Sequence, residues 1–288
     1  MYKIMKNYML LLFSLVLLSS CIDSLDDIPG SKEKVNGFEV TWRTNVSESK
    51  RNVIRDILND MQYVQGGMFL MGATQEQELY ARENERPAHY VKIPSYYICK
   101  NEISAEQVEI LTDMELTTYE KKNGAPKYKW SDWRHVIDLI GDYASITMDF
   151  PTEAQWEYAA RGGAYGKGYV YSGGNDLSEA ANEPNELGLF GMARCHSEWC
   201  KDAYNAYSGK PLEIDPYRVQ GVGHVVRGGN VKSTEDTKYY FSSYLSRDGF
   251  YNCYKDIRTC RVSARSYCVD SWLYLGVYIS CRFVINLN

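Results

Sequence analysis

Three soft side chains stand close together in one short stretch, Cys195, His196 and Cys200. Thiolate sulfur and imidazole nitrogen suit zinc or copper, but a closed zinc site takes four ligands. No fourth ligand is identifiable, so the trio reads as structural. Glu153 and Glu157 are four apart, on one face of a helix if that segment is helical. Acid–base catalysis needs groups converging across a cleft, so these two read as a capping and a solvated carboxylate. His89 reads as a packed, hydrogen-bonded histidine, while His135 and His224 show no convincing partners in sequence.

The elements that must position these groups are few. Ser47 to Met61 predicts a helix with Val53, Ile54, Ile57, Leu58 and Met61 on one face. Ser104-Ala105-Glu106-Gln107 has capping-box spacing, in which Ser104 caps while Gln107 reaches back. Ser131 to Ile140 predicts a third helix on Trp133, Val136, Ile137 and Ile140. Thr152-Glu153-Ala154-Gln155 repeats the capping-box spacing after Phe150-Pro151, and Gly162-Gly163 supplies the stop. Beyond Gly163 the chain is rich in Gly, Tyr, Asn and Ser with short apolar runs. The expected fold class is α+β, one domain of short strands, few helices and long loops.

The N-terminus carries a different message. Lys3 and Lys6 precede an apolar run from Tyr8 to Leu18, then Ser19-Ser20-Cys21. This is the layout of a secretion signal, about half the ~20 residues a spanning helix needs. A small-small-Cys ending resembles the bacterial lipoprotein signal, in which the cysteine becomes the lipidated N-terminus. Two or more acyl chains on Cys21 give stable anchoring. The expected division is a signal peptide at 1–20, a lipidated Cys21 with a flexible linker over 21–45, and a domain over 46–288. Pro29, Gly30 and the mixed charges of Ser31 to Lys34 suit that linker. The expected location is a bacterial envelope, at the outer membrane or cell surface. Net charge is −5, which shows no basic excess and argues against nucleic acid. Of the 8 cysteines, setting Cys21 aside leaves an odd number for an oxidising compartment, so at least one thiol is unpaired or pairs elsewhere.

Six segments in order are similar to the formylglycine-generating, or sulfatase-modifying factor, family. They are Tyr63 to Gly72, Glu85 to Ser104, Pro151 to Gly163, Pro184 to Asp202, Val226 to Gly229, and Cys260 to Arg265 with Cys281 to Val284. The resemblance implies a fold related to C-type lectins. Active aerobic members hold copper on two cysteine thiolates just after the Arg-Gly-Gly-Ser strand and oxidise a substrate cysteine. Here Asn230 replaces the serine, a stretch without cysteine follows, and Cys253 and Cys260 come next with six residues between them. Three readings of this pair stand: a displaced copper site, a disulfide, or two unrelated buried thiols. The family's calcium asparagine is replaced by Cys195, a poor ligand for a hard cation. Glu198 is retained and is the candidate ligand for a structural calcium. Glu183-Pro184-Asn185 matches a tripeptide that some sugar-binding lectins use, though the family's own run explains it.

The expected function is therefore a lipid-anchored envelope protein whose domain is non-catalytic or divergent and binds a polypeptide or glycan. Tyr239, Tyr240, Tyr244, Phe250 and Tyr251 are candidate groove contacts. The alternative is a copper-dependent formylglycine-generating oxidase acting through Cys253 and Cys260 on an exported sulfatase.

Overall fold

The computed structural model describes residues 29–180, 182–193, 196–229, 257–269 and 278–287. Strands β1 (Pro29–Val35) and β2 (Phe38–Arg43) form an antiparallel hairpin. Its turn is Asn36-Gly37, with φ of 47° and 90°. Both central residues are left-handed, as a tight two-residue hairpin turn requires. Val35, Val40 and Trp42 enter the core from the hairpin, and Arg51 and Arg55 stand over the Trp42 ring at 5.5 and 5.3 Å. The flexible linker expected up to residue 45 is thus corrected over 29–43. Alternation of Phe38, Val40 and Trp42 against charged neighbours makes a half-buried ribbon, where the charges alone suggest a tether.

Helix α1 (Glu48–Asn59) is capped by Ser47 and buries Val53, Ile54, Ile57 and Leu58. Met61 falls outside it, opening strand β3 (Met61–Val64). Strand β4 (Gly67–Met71) pairs antiparallel with β5 (His89–Ile93), and β3 pairs with β6 (Tyr96–Cys99). Helix α2 (Ala105–Thr112) carries the expected capping box, with Gln107 N 3.1 Å from Ser104 Oγ and Ser104 N 2.9 Å from Gln107 Oε1. Helices α3 (Thr118–Asn123) and α4 (Trp130–Ala144) follow. The latter runs past the expected Ile140 to a left-handed cap at Ser145 and buries Trp133, Val136, Ile137, Ile140 and Ala144. The hairpin, α1, α2 and α4 enclose one core.

Helix α5 (Glu153–Ala160) anchors a second core, and all eight of its residues are buried. A short α6 (Leu177–Ala180) precedes β7 (Ser197–Ala203), β8 (Leu212–Ile214) and β9 (His224–Arg227). After a turn over Ile257–Cys260 come β10 (Ser266–Cys268), β11 (Ile279–Ser280) and β12 (Val284–Asn286). The larger sheets run β10-β9-β7-β11, β12-β6-β3 and β4-β5-β8. Most pairs are antiparallel; β5–β8 and β7–β11 are parallel. The α+β class with short strands and long loops is what the structure shows.

Candidate functional site

Helix α5 is wholly buried, so its two carboxylates cannot be solvated and must find cations. Thr152 caps it, accepting from Gln155 N at 3.1 Å while Gln155 Oε1 accepts from Thr152 N at 2.9 Å. That cap presents Glu153 and Glu157 toward the arginines of β9 and of residues 261–265. Glu153 receives Arg265 in two bonds of 2.7 and 2.6 Å. Glu157 accepts from Gly72 N at 2.8 Å, Arg161 Nε at 2.9 Å, and Arg227 Nη2. Burial pushes the Glu157 carboxyl up, but Arg161 and Arg227 outweigh it and hold it below the usual range. The solvated reading of the two glutamates is corrected: they are structural anions.

Arg227 also donates to the carbonyls of Val262 and Ala264 at 3.2 and 2.6 Å. It therefore ties α5 and β9 to the segment following Cys260. The guanidinium of Arg265 lies over the rings of Tyr207 and Tyr204, at 4.1 and 4.8 Å. Beside it, Asp202 accepts from Glu153 N at 2.8 Å and Arg218 N at 3.0 Å. Burial, then the charge of Glu153, push the Asp202 carboxyl up to about 7. A further buried pair joins Arg261 to Glu85 at 2.9 and 2.5 Å, with Ser263 Oγ donating to Glu85 at 2.6 Å.

The end of β9 is the point where the sequence places the chemistry. Gly228 and Gly229 have φ of 92° and 71°, and a Cβ on Gly229 would stand 2.6 Å from Cys260 Sγ. Cys260 is fully buried under this turn. A cavity of about 10 Å³, enough for one water, lies alongside, lined by Arg82, Ser197, Thr259, Arg265 and Ser266. Cys253 and the candidate contacts Tyr239, Tyr240, Tyr244, Phe250 and Tyr251 lie outside the described residues, as do Cys21, Cys195 and Asn230.

Glu198 is placed at the heart of β7, and both its oxygens are engaged. Oε2 accepts from Arg282 Nε at 2.7 Å and Trp156 Nε1 at 2.8 Å; Oε1 accepts from Arg282 Nη2 at 2.7 Å. Burial would lower the Arg282 guanidinium, but Glu198 more than offsets this and holds it charged. Burial also pushes the Glu198 carboxyl up. A calcium ion needs several free oxygens; Glu198, already neutralised by a guanidinium, does not fit that role in this arrangement. Arg282 reaches on to the carbonyls of Cys99, Lys100 and Phe190 at 3.1, 2.9 and 2.9 Å.

The soft trio is not brought together by its described members. His196 Nδ1 is 2.7 Å from Glu102 Oε2 and Nε2 is 3.0 Å from the Asn123 carbonyl. Cys200 sits four residues along an extended strand, ~13 Å away at strand rise. Cys99, Cys200 and Cys281 are buried thiols. Burial pushes Cys99 up to about 12 and the other two well above their usual value. Among the described residues no three His, Cys, Asp or Glu side chains are arranged to hold a metal. His89 is buried with Nδ1 3.0 Å from the Pro87 carbonyl, as expected. His224 does have a partner, stacked on Trp130 with centroids 4.0 Å apart. Asn185 is an internal clamp, donating to Ala159 O and Ser172 Oγ and accepting from Leu187 N and Leu189 N. The sequence reading singled out neither Asp202 nor Glu102; their signal was that each falls within a family-matching segment, Pro184 to Asp202 and Glu85 to Ser104.

Short sheets buttressed by helices and pinned by buried arginine–carboxylate pairs define a scaffold of the formylglycine-generating type. Residues 46–183, just under half of the chain, match the sulfatase-modifying factor enzyme 1-like domain, and the chain is similar to that family over this segment. The formylglycine-generating enzyme of Streptomyces coelicolor is 32% identical over 147 residues, 40% of each chain. A serine/threonine-protein kinase, Pkn1 of Chlamydia trachomatis, is 25% identical over 244 residues, 70% of this chain and 39% of that protein. This chain thus spans about two fifths of those relatives' length. Among solved structures, PvdO from Pseudomonas aeruginosa matches with TM-score 0.56 and 16% identity over 91% of this chain and 100% of that one. Treponema denticola variable protein 1 matches with TM-score 0.53 and 15% identity over 89% and 99%. At these identities the two structures establish the fold.

Proposed function

We propose that this chain is a bacterial envelope lipoprotein, anchored through Cys21, whose domain binds a polypeptide or glycan without performing the oxidase chemistry of active relatives. The observation that carries the non-catalytic reading is the burial of Cys260, the cysteine beside the Gly228–Gly229 turn among the described residues. Glu153, Glu157, Arg227 and Arg265 are held in buried pairs that serve the scaffold. A thiol with no solvent access cannot meet a substrate cysteine. The binding surface is assigned to the aromatic stretch over 239–251, beyond β9. The Cys21 anchor is supported by the lysines, apolar run and Ser-Ser-Cys ending of residues 3–21.

Two measurements test this. Purified chain loaded with Cu(I) is incubated in air with a Cys-x-Pro-x-Arg peptide and the peptide is weighed by mass spectrometry. An unchanged peptide is expected; conversion of its cysteine to formylglycine, lost on replacing Cys253 or Cys260, would establish the oxidase instead. Metabolic labelling with an alkynyl fatty acid should mark the wild-type chain and not Cys21→Ser. Equal labelling of both would remove the anchor.

A further inference from the structure

The sheet β4-β5-β8 breaks the usual pattern of a half-buried sheet, apolar within and polar without. Its inner face buries Met71, His89, Val91 and Ile93. Its outer face is apolar as well. Leu70 pairs with Tyr90 and Tyr90 with Leu212, forming one row across the three strands. Met68 pairs with Lys92 and Lys92 with Ile214, forming the next. Met68 is 62% exposed, Leu70 37%, Tyr90 50%, Leu212 46% and Ile214 73%. Five of the six outward positions are therefore large apolar or aromatic side chains, contiguous by register.

We propose that this face is the interface of a homodimer, packed sheet on sheet against the same face of a second copy. The exposed apolar area of the five side chains is about 500 Å², at the upper end of what a typical monomer shows in one patch. A homodimer interface is about 65% apolar. About 500 Å² of apolar surface with a polar rim in that proportion gives close to the ~800 Å² per partner of a standard stable interface. Two flat, twisted sheet faces pack with side chains interdigitating. A two-fold axis makes the patch its own complement, since each row meets the other. Lys92, the one charge among the six outward positions, is a residue type whose methylenes can cover apolar surface while its ammonium stays in water. The exposed Asp215, whose N–H donates to the Lys92 carbonyl at 2.7 Å, places an opposite charge at that rim for the lysine of the second copy.

The test uses the full-length chain in a bacterial envelope. Ile214→Cys is treated with a short bismaleimide and run on a denaturing gel, with Leu79→Cys, 81% exposed elsewhere, and the parent chain as controls. A band at twice the chain mass is expected for Ile214→Cys alone, and its loss when Leu212→Glu or Tyr90→Lys is added. Thermal unfolding of these surface variants should match the parent; two independent charge substitutions guard against either one misfolding. No dimer band, a band with a different protein, or a nitroxide attached to the Ile214→Cys variant and quenched only by lipid-soluble relaxants would each overturn the dimer. The last would make the face a membrane contact.

Discussion

Removing the carboxylate of Glu198 isolates a guanidinium that is fully buried. In Glu198→Gln the side chain keeps one acceptor and turns an NH2 group toward Arg282, so a paired charge becomes an unpaired one. Breaking a buried pair from one side costs about 3–5 kcal/mol. The three carbonyls that Arg282 already reaches, on Cys99, Lys100 and Phe190, keep the expected loss at the lower end of that range. At about 2–4 °C per kcal/mol for a domain of this size, the midpoint should fall by roughly 10 °C. Replacing both partners, as Glu198→Leu with Arg282→Met, removes the lone charge but takes partners from those three carbonyls and from the Trp156 indole N–H, at about 1–3 kcal/mol for each group left unsatisfied. The double variant is therefore expected to lose at least as much stability as the single one. Urea and thermal unfolding followed by tryptophan fluorescence measure all three, since Trp156 bonds Glu198 directly. Added calcium should leave the wild-type midpoint where it is, because an ion that does not bind the native state cannot stabilise it. A single-variant loss under 1 kcal/mol, or a calcium-dependent rise in the midpoint, would refute the assignment of Glu198 to the arginine.

Three further outcomes are expected. Asp202 is raised from 3.8 to about 7 by burial and by Glu153, so the native state holds its proton where the unfolded chain has lost it. The stability this contributes is complete below pH 3.8 and is lost as pH rises toward about 7, a span of about 4 kcal/mol. Urea unfolding across that window should show the fall, and Asp202→Asn should flatten it; an equal slope in the variant removes Asp202 as its source. Gly229→Ala forces a Cβ 2.6 Å from Cys260 Sγ at a φ of 71°, which should cost about 2–4 kcal/mol, and a neutral variant would show that the turn can open. Trp42→Ala should cost about 3–5 kcal/mol in denaturant unfolding; a loss below 1 kcal/mol would return residues 29–43 to the status of a tether.

The local signals were the most readable part of this chain. Thr152-Gln155 and Ser104-Gln107 are instructions of four residues each, satisfied by the backbone next to them, and both boxes form as written. The Asn36-Gly37 turn is equally local, but the lysines and glutamates around it disguise a strand whose inward residues are two positions apart. Charge pairs are harder to read because their partners are remote. Glu85 and Arg261 are 176 residues apart, Glu153 and Arg265 are 112 apart, and nothing near Glu153 says that its helix is buried on every side.

That difference bears directly on function. The motifs that mark the family also contain the buried arginines Arg227, Arg261, Arg265 and Arg282 and the half-buried Arg161. In this structure each pairs with a glutamate from another segment of the chain. A motif built on such pairs is retained because losing either partner leaves a charge in the interior, whether or not any reaction is catalysed. The matching segments therefore report the scaffold. Chemistry must be read from sulfur beside Gly229: among the described residues that sulfur is Cys260, and it is buried.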